Sequence, residues 1–367
     1  MSIQDKNTDT EEIEGIEEDE YESLGEYPID TLLIRNETRT VHDVLRRIEQ
    51  GSFVMDPDFQ RDFIWLDDKQ SKLIESVLMR IPLPVFYLGE DDKGRMIVVD
   101  GLQRLSTFSR FVNNGFRLKL PNQADLDKKR FSDLSPKLKN RIEDCNLILY
   151  IIDAKVPERA RLDIFERVNG GIPLTRQQMR NCLFNGPATQ FLKKEAATKF
   201  FKQATGNSLT TKTMRDREFV NRFCAFRLLP LDIYKGDMDE WLAMALKRMD
   251  GLNEASLAQL SNEFQSSLQN NYYLFKDHTF RKHVPGQDRR GILNASLWDV
   301  MITGLAKHSH DQIVNHAEKL KKRFYALIKI EKFVWSITSG PNNPDRVRHR
   351  FEETQKMFAE VFDAHSS

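Results

Sequence analysis

Apolar residues along this chain change period several times, and the changes divide it into elements. Val41, Val44, Leu45 and Ile48 recur at helical spacing behind Thr40, which has Asp43 three positions on, and Gly51 ends the run. A short strand-like stretch, Phe53-Val54-Met55, leads into a loop at Pro57. Leu73, Ile74, Val77 and Leu78 mark a second helix, capped by Asp67 or Asp68 and ending before Pro82. Val85–Leu88 and Arg95–Val99 flank Asp91-Asp92-Lys93-Gly94, which predicts a hairpin. Leu105, Phe108 and Val112 predict a third helix, Phe116–Leu120 a short strand, Ser135-Pro136 another helix start, and Asn146–Ile152 a strongly apolar strand. Beyond Pro157 the spacing of Ala160, Ile164, Phe165 and Val168 is helical, and Thr175 with Gln178 opens a further helix. From Pro187 onward the pattern is almost wholly helical, with stripes such as Phe219, Val220, Phe223, Phe226 and Leu229 that read as core. The expected fold class is α+β: a small mixed sheet in an N-terminal domain, residues 29–185, then a mostly α-helical C-terminal domain, residues 186–367.

The junction at Asp100-Gly101-Leu102-Gln103-Arg104 stands out, because there the apolar run Met96–Val99 gives way to a helical pattern. A strand, a glycine turn and a helix N-terminus in succession leave unpaired backbone N–H groups pointing at one spot, which attracts anions. Arg104 in the first helical turn adds donors suited to phosphate, and Gln60 and Arg61 lie in a loop that could close the same site. Asp100 could hold a divalent cation such as Mg²⁺ or a ribose hydroxyl, or could simply cap the helix. Such turns are also common as plain helix starts, so the pattern alone leaves both readings open.

Three motifs carry a resemblance. PDFQRDFIW (57–65), LIESVLMRIPLPVFYL (73–88) and VVDGLQRLSTF (98–108) are similar to the bacterial family of GmrSD-type restriction endonuclease N-terminal domains, whose signature reads DGQQR. The likeness continues through IFERVNGGIPLTRQQMRNCLFNG (164–186). It implies a ParB- and sulfiredoxin-like fold and a nucleoside triphosphate site, with Asp100, Gln103 and Arg104 in catalytic roles. Gln60, Arg61 and Gly101 would complete the site, and Arg167, Asn169 and Arg180 would form a layer behind it. The resemblance thus implies a nucleotide-binding, DNA-directed module of bacterial anti-phage restriction, and leaves open whether it hydrolyses its nucleotide. The alternative is a non-catalytic ParB-like regulator that binds DNA or protein. Leu102 stands where the family's first Gln of the signature falls; if that Gln positions a metal or a water, hydrolysis is lost while the pocket survives.

Composition adds an electrostatic division. The formal net charge is zero, yet residues 1–28 hold eleven acids and one base, leaving 54 bases and 44 acids, about +10, on the rest. The first 28 residues are expected to be a disordered acidic tail that either solubilises the protein or competes with DNA for a basic body. Basic clusters at Arg281-Lys282-His283 with Arg289-Arg290, at Lys319–Arg323 and at Arg346–Arg350 suit contact with a phosphate backbone. No apolar run reaches the roughly 20 residues that span a bilayer, the N-terminus is unlike a secretion signal, and Cys145, Cys182 and Cys224 lack metal or disulfide spacing, so a cytoplasmic protein is expected. No His-Asn-His nuclease constellation is visible among the eight histidines, so any cleavage falls either to a separate nuclease subunit or to a site not recognisable in the C-terminal half.

Overall fold

The computed structural model describes residues 13–16, 34–55, 65–91, 93–168, 175–184 and 186–362. Two compact units emerge, Leu24–Asn185, and Met1–Ser23 with Gly186–Ser367. Each is taken by itself.

The first unit is built on a five-stranded mixed sheet. Its strands are β2 (Ile34–Thr40), β3 (Phe53–Val54), β4 (Phe86–Glu90), β5 (Met96–Asp100) and β6 (Asn146–Ile152), ordered β2-β6-β4-β5-β3. β2 is antiparallel to β6, β6 parallel to β4, β4 antiparallel to β5, and β5 parallel to β3. The β4–β5 hairpin closes as expected: Asp91 Oδ1 accepts the backbone N–H groups of Lys93 and Arg95. Helices α1 (Val41–Glu49), α2 (Asp67–Leu78), α3 (Leu102–Val112) and α4 (Pro136–Glu143) cover one face. Val44, Ile74, Phe108, Phe111 and Ile142 from these helices pack there on Phe86, Leu88, Val98, Leu149 and Ile151. Side chains alternate along a strand, so Gly89 faces the other side, where α5 (Glu158–Val168) and α6 (Arg176–Leu183) lie. A Cβ on Gly89 would come within 2.9 Å of Phe165 and 3.2 Å of Leu183.

Two differences from the sequence reading have simple causes. β2, IRNETRT, carries no apolar stripe because it is an edge strand, and its Arg35, Glu37 and Arg39 form a ladder of ion pairs. Phe116–Leu120 has the alternating burial of a strand but is not one. Leu118 pairs with Lys129, Lys119 N–H donates to Ser71 Oγ and Leu120 N–H to Asp127 Oδ1, so side chains and a turn replace a neighbouring strand.

The second unit is helical: α7 (Pro187–Ala196), α8 (Lys199–Thr205), α9 (Arg215–Leu228), α10 (Met238–Asp250), α11 (Glu254–Phe275), α12 (Ala295–Leu305), α13 (His310–Leu327), α14 (Glu331–Thr338) and α15 (Pro344–Phe362). Trp298 centres its core, its Nε1 donating to Phe219 O at 2.9 Å. Asp299 receives Arg222 in a two-pronged pair at 2.7 and 2.8 Å and Arg350 at 3.0 Å, tying α9, α12 and α15. Within the acidic segment expected to lack order, β1 (Ile13–Glu14) pairs in parallel with β7 (Leu293–Asn294). No described helix is long and apolar enough to cross a membrane.

Candidate functional site

β5 delivers Asp100 to the junction, Gly101 caps α3, and the glycine is obligatory for two reasons. Its φ is +98°, a left-handed conformation, and a Cβ there would sit 2.2 Å from the Phe86 ring. Phe86 is held from a second direction by Arg104, whose guanidinium carbon lies 4.2 Å from the ring centroid.

Arg104 is where the structure departs most from the sequence reading. Its guanidinium, expected to meet a phosphate, is turned inward: Nη1 donates to Pro84 O, and Nη2 donates to Val85 O at 3.0 Å and to Asp100 Oδ2 at 2.8 Å. Burial pushes its pKa down, and the Asp100 carboxylate opposes that shift. The side chain is a strut that joins β5, α3 and the segment leading into β4. Asp100 remains about one-third exposed, so part of its carboxylate still faces water. Among the described residues no group of three or more His, Cys, Asp or Glu side chains is placed to hold a metal.

Gln103 turns the other way. It lines a cleft of about 360 Å³ with Met55, Gln70, Ser106, Thr107 and Arg110. Gln103 Oε1 accepts the Trp65 N–H at 3.1 Å, Gln70 donates to Trp65 O, and Arg110 Nη1 donates to Gln70 Oε1 at 3.2 Å and to Asp67 Oδ1 at 2.9 Å. Ser106 Oγ is shielded from water and has no hydrogen-bond partner among the described residues. A polar wall with an unused hydroxyl is chemistry for a polar ligand.

Sequence reasoning overlooked Gln70, Ser106 and Arg110, although a signal was present. Gln103, Ser106 and Arg110 fall at i, i+3 and i+7 on one helix face, whereas Arg104 shares the opposite stripe with Phe108 and Phe111. The other expected site residues are dispersed. Gln60, Arg61 and Asn169 lie outside the described residues. Arg167 is exposed near the end of α5. Arg180 is buried on α6, its Nε donating to Gln177 Oε1 at 3.1 Å, and α6 covers the sheet face opposite α3.

The basic clusters of the second unit are largely consumed internally. Arg281 is buried and donates to the carbonyls of Thr205, Thr279 and Gly291, and desolvation brings its pKa down to about 10. Arg350 belongs to the Asp299 pair, Arg346 lies over Trp335, Lys321 meets Glu318 and Arg323 meets Glu360. Cys145 and Cys224 are free thiols, each with its pKa raised by burial.

The first unit is thus an α+β module: a small mixed sheet whose third helix starts at a glycine turn and presents a polar face to a cleft. Residues 41–185 match the family described as GmrSD restriction endonuclease, N-terminal domain. No curated protein matches the chain.

Proposed function

We propose that residues 41–185 form the nucleotide-binding module of a DNA-directed restriction or defence system, with the nucleotide held in the cleft along α3. The family match supports the biological setting. The observation that carries the ligand site is the row Gln103, Ser106 and Arg110 on the cleft wall, with the Ser106 hydroxyl unused. Gln103 and Ser106 would read base or sugar, and Arg110, swinging from Asp67, would meet phosphate. Asp100 does not line this cleft; it would hold Arg104 in place at the start of α3. Titration calorimetry with each of the four nucleoside triphosphates and Mg²⁺ tests this directly. One of them is expected to bind, with affinity falling at least tenfold in Gln103→Ala; no binding by wild type removes the assignment.

Two observations favour a second reading, in which the module binds without hydrolysing. Leu102 replaces the family's Gln, and Arg104 is committed to carbonyls and Asp100, so its guanidinium is not free to stabilise a transferring phosphoryl group. Any DNA cleavage then falls to a separate nuclease subunit. Phosphate release measured with and without DNA separates the two readings.

A further inference from the structure

The C-terminal end of α2 breaks a local rule. Its last turn closes as a Schellman motif, the Arg80 N–H bonding Val77 O and the Ile81 N–H bonding Ser76 O. The left-handed position that motif requires is filled by Arg80, φ +61°, where glycine is the usual occupant. The neighbours are equally out of character for a surface turn: Met79 is 60% and Ile81 49% exposed. Beside them opens a cleft of about 510 Å³, with Arg80, Lys137 and Arg141 among its lining residues and Asp144 as its one acid. Arg141 is anchored, its Nη1 donating to Leu78 O at 2.8 Å. The side chains of Arg80 and Lys137 make no hydrogen bond or ion pair with any described residue. Elsewhere in this unit Arg35, Arg39, Arg46, Arg47 and Arg95 are each paired with a carboxylate.

Three cations against one acid, two of them without a partner among the described residues, and flanked by exposed apolar side chains, complement a polyanion with apolar surface between its charges. We propose that this cleft docks duplex DNA, with Arg80, Lys137 and Arg141 on backbone phosphates and Met79 and Ile81 against sugars and base edges in the minor groove. The proposal rests on the DNA-directed reading above and gives that reading a surface. It also explains why a residue that strains the turn stands at position 80: glycine would relax the backbone but remove the guanidinium.

The test uses the full chain and a fluorescent 20-base-pair duplex, titrated between 50 and 250 mM salt. Arg80→Gly combined with Lys137→Ala is expected to weaken binding about tenfold and to lower the slope of log K against log salt by about two, near 0.9 for each lost phosphate contact. Arg80→Gly alone should raise Tm while weakening DNA binding, an outcome that general destabilisation would not produce. Nucleotide affinity should be unchanged in all these variants. If wild type and double variant share one affinity and one slope, the cleft is not the DNA surface, although the DNA-directed reading stands. If wild type binds no duplex at 50 mM salt, that reading falls as well.

Discussion

Arg104 and Gln103 are adjacent, and the difference between them is which side of α3 each occupies. Arg104→Ala would leave the carbonyls of Pro84 and Val85 without their donor and Asp100 without its cation. Because Asp100 is partly exposed, the expected cost is about 2–3 kcal/mol, below that of breaking a fully buried pair. Gln103→Ala should leave the urea midpoint nearly unmoved and reduce nucleotide affinity. If Arg104→Ala kept full stability in urea unfolding yet lost nucleotide binding, the strut assignment would be wrong. Gly101→Ala meets two penalties at once, a left-handed backbone and collision with Phe86, and should cost about 2–5 kcal/mol by the same measurement. The motif's importance was legible in the sequence, because a strand, a glycine and a helix start are written in it. The direction of Arg104 was hidden, because an arginine in a helix's first turn points outward unless a buried stripe claims it, and here Phe108 and Phe111 continue that stripe.

Among the elements, those whose apolar pattern faces a core were readable, and those stabilised by other means were not. α1, α2, the β4–β5 hairpin and β6 follow the periodicity directly. β2 escaped notice because its stability comes from ladder hydrogen bonds to β6 and from ion pairs along the strand itself, which leave no hydrophobic trace. Arg281 and Arg350 read as surface clusters since neighbouring bases surround them, yet each satisfies carbonyls or a carboxylate inside the helical unit. The segment between α11 and β7 also holds a titrating element. His283 is buried, its ring stacks on His278 at 4.8 Å, its Nδ1 lies 2.8 Å from Arg281 O and its Nε2 lies 3.1 Å from the Tyr325 hydroxyl. A carbonyl accepts only, so Nδ1 carries the proton of the neutral ring and Nε2 accepts from Tyr325. Burial pulls the His283 pKa below its ordinary value, so the unfolded chain takes up the proton first as pH falls. Stability from this site is therefore intact above about pH 6.5 and declines as pH drops toward the lowered folded value. Urea midpoints at pH 7.5 and 5.5 should differ less in His283→Gln than in wild type; an equal difference would mean that other groups set the acid sensitivity.

At the scale of the whole molecule, zero net charge is a balance between an acidic segment and a body of about +10. The one described piece of that segment shows how the two meet. Ile13 and Glu14 add a short parallel strand to Leu293 and Asn294, and the Glu14 carboxylate takes both Lys282 Nζ at 2.5 Å and Asn294 Nδ2 at 3.0 Å. Lys282 belongs to a cluster whose charge suits a phosphate backbone, so under the DNA-directed reading proposed above an acidic side chain here competes with DNA for that cation. Two main-chain pairings, one partly exposed ion pair and one side-chain hydrogen bond make a weak attachment, one that a polyanion of higher charge density can displace. Removing residues 1–28 is therefore expected to tighten duplex binding at 50 mM salt, with the gain fading by about 300 mM as screening shortens the reach of the lost charges. Glu14→Gln should reproduce a fraction of that gain with the rest of the segment in place. Identical affinities for full-length and truncated protein at low salt would reduce the segment to a solubilising extension, and the contact at Lys282 would then serve only to anchor it.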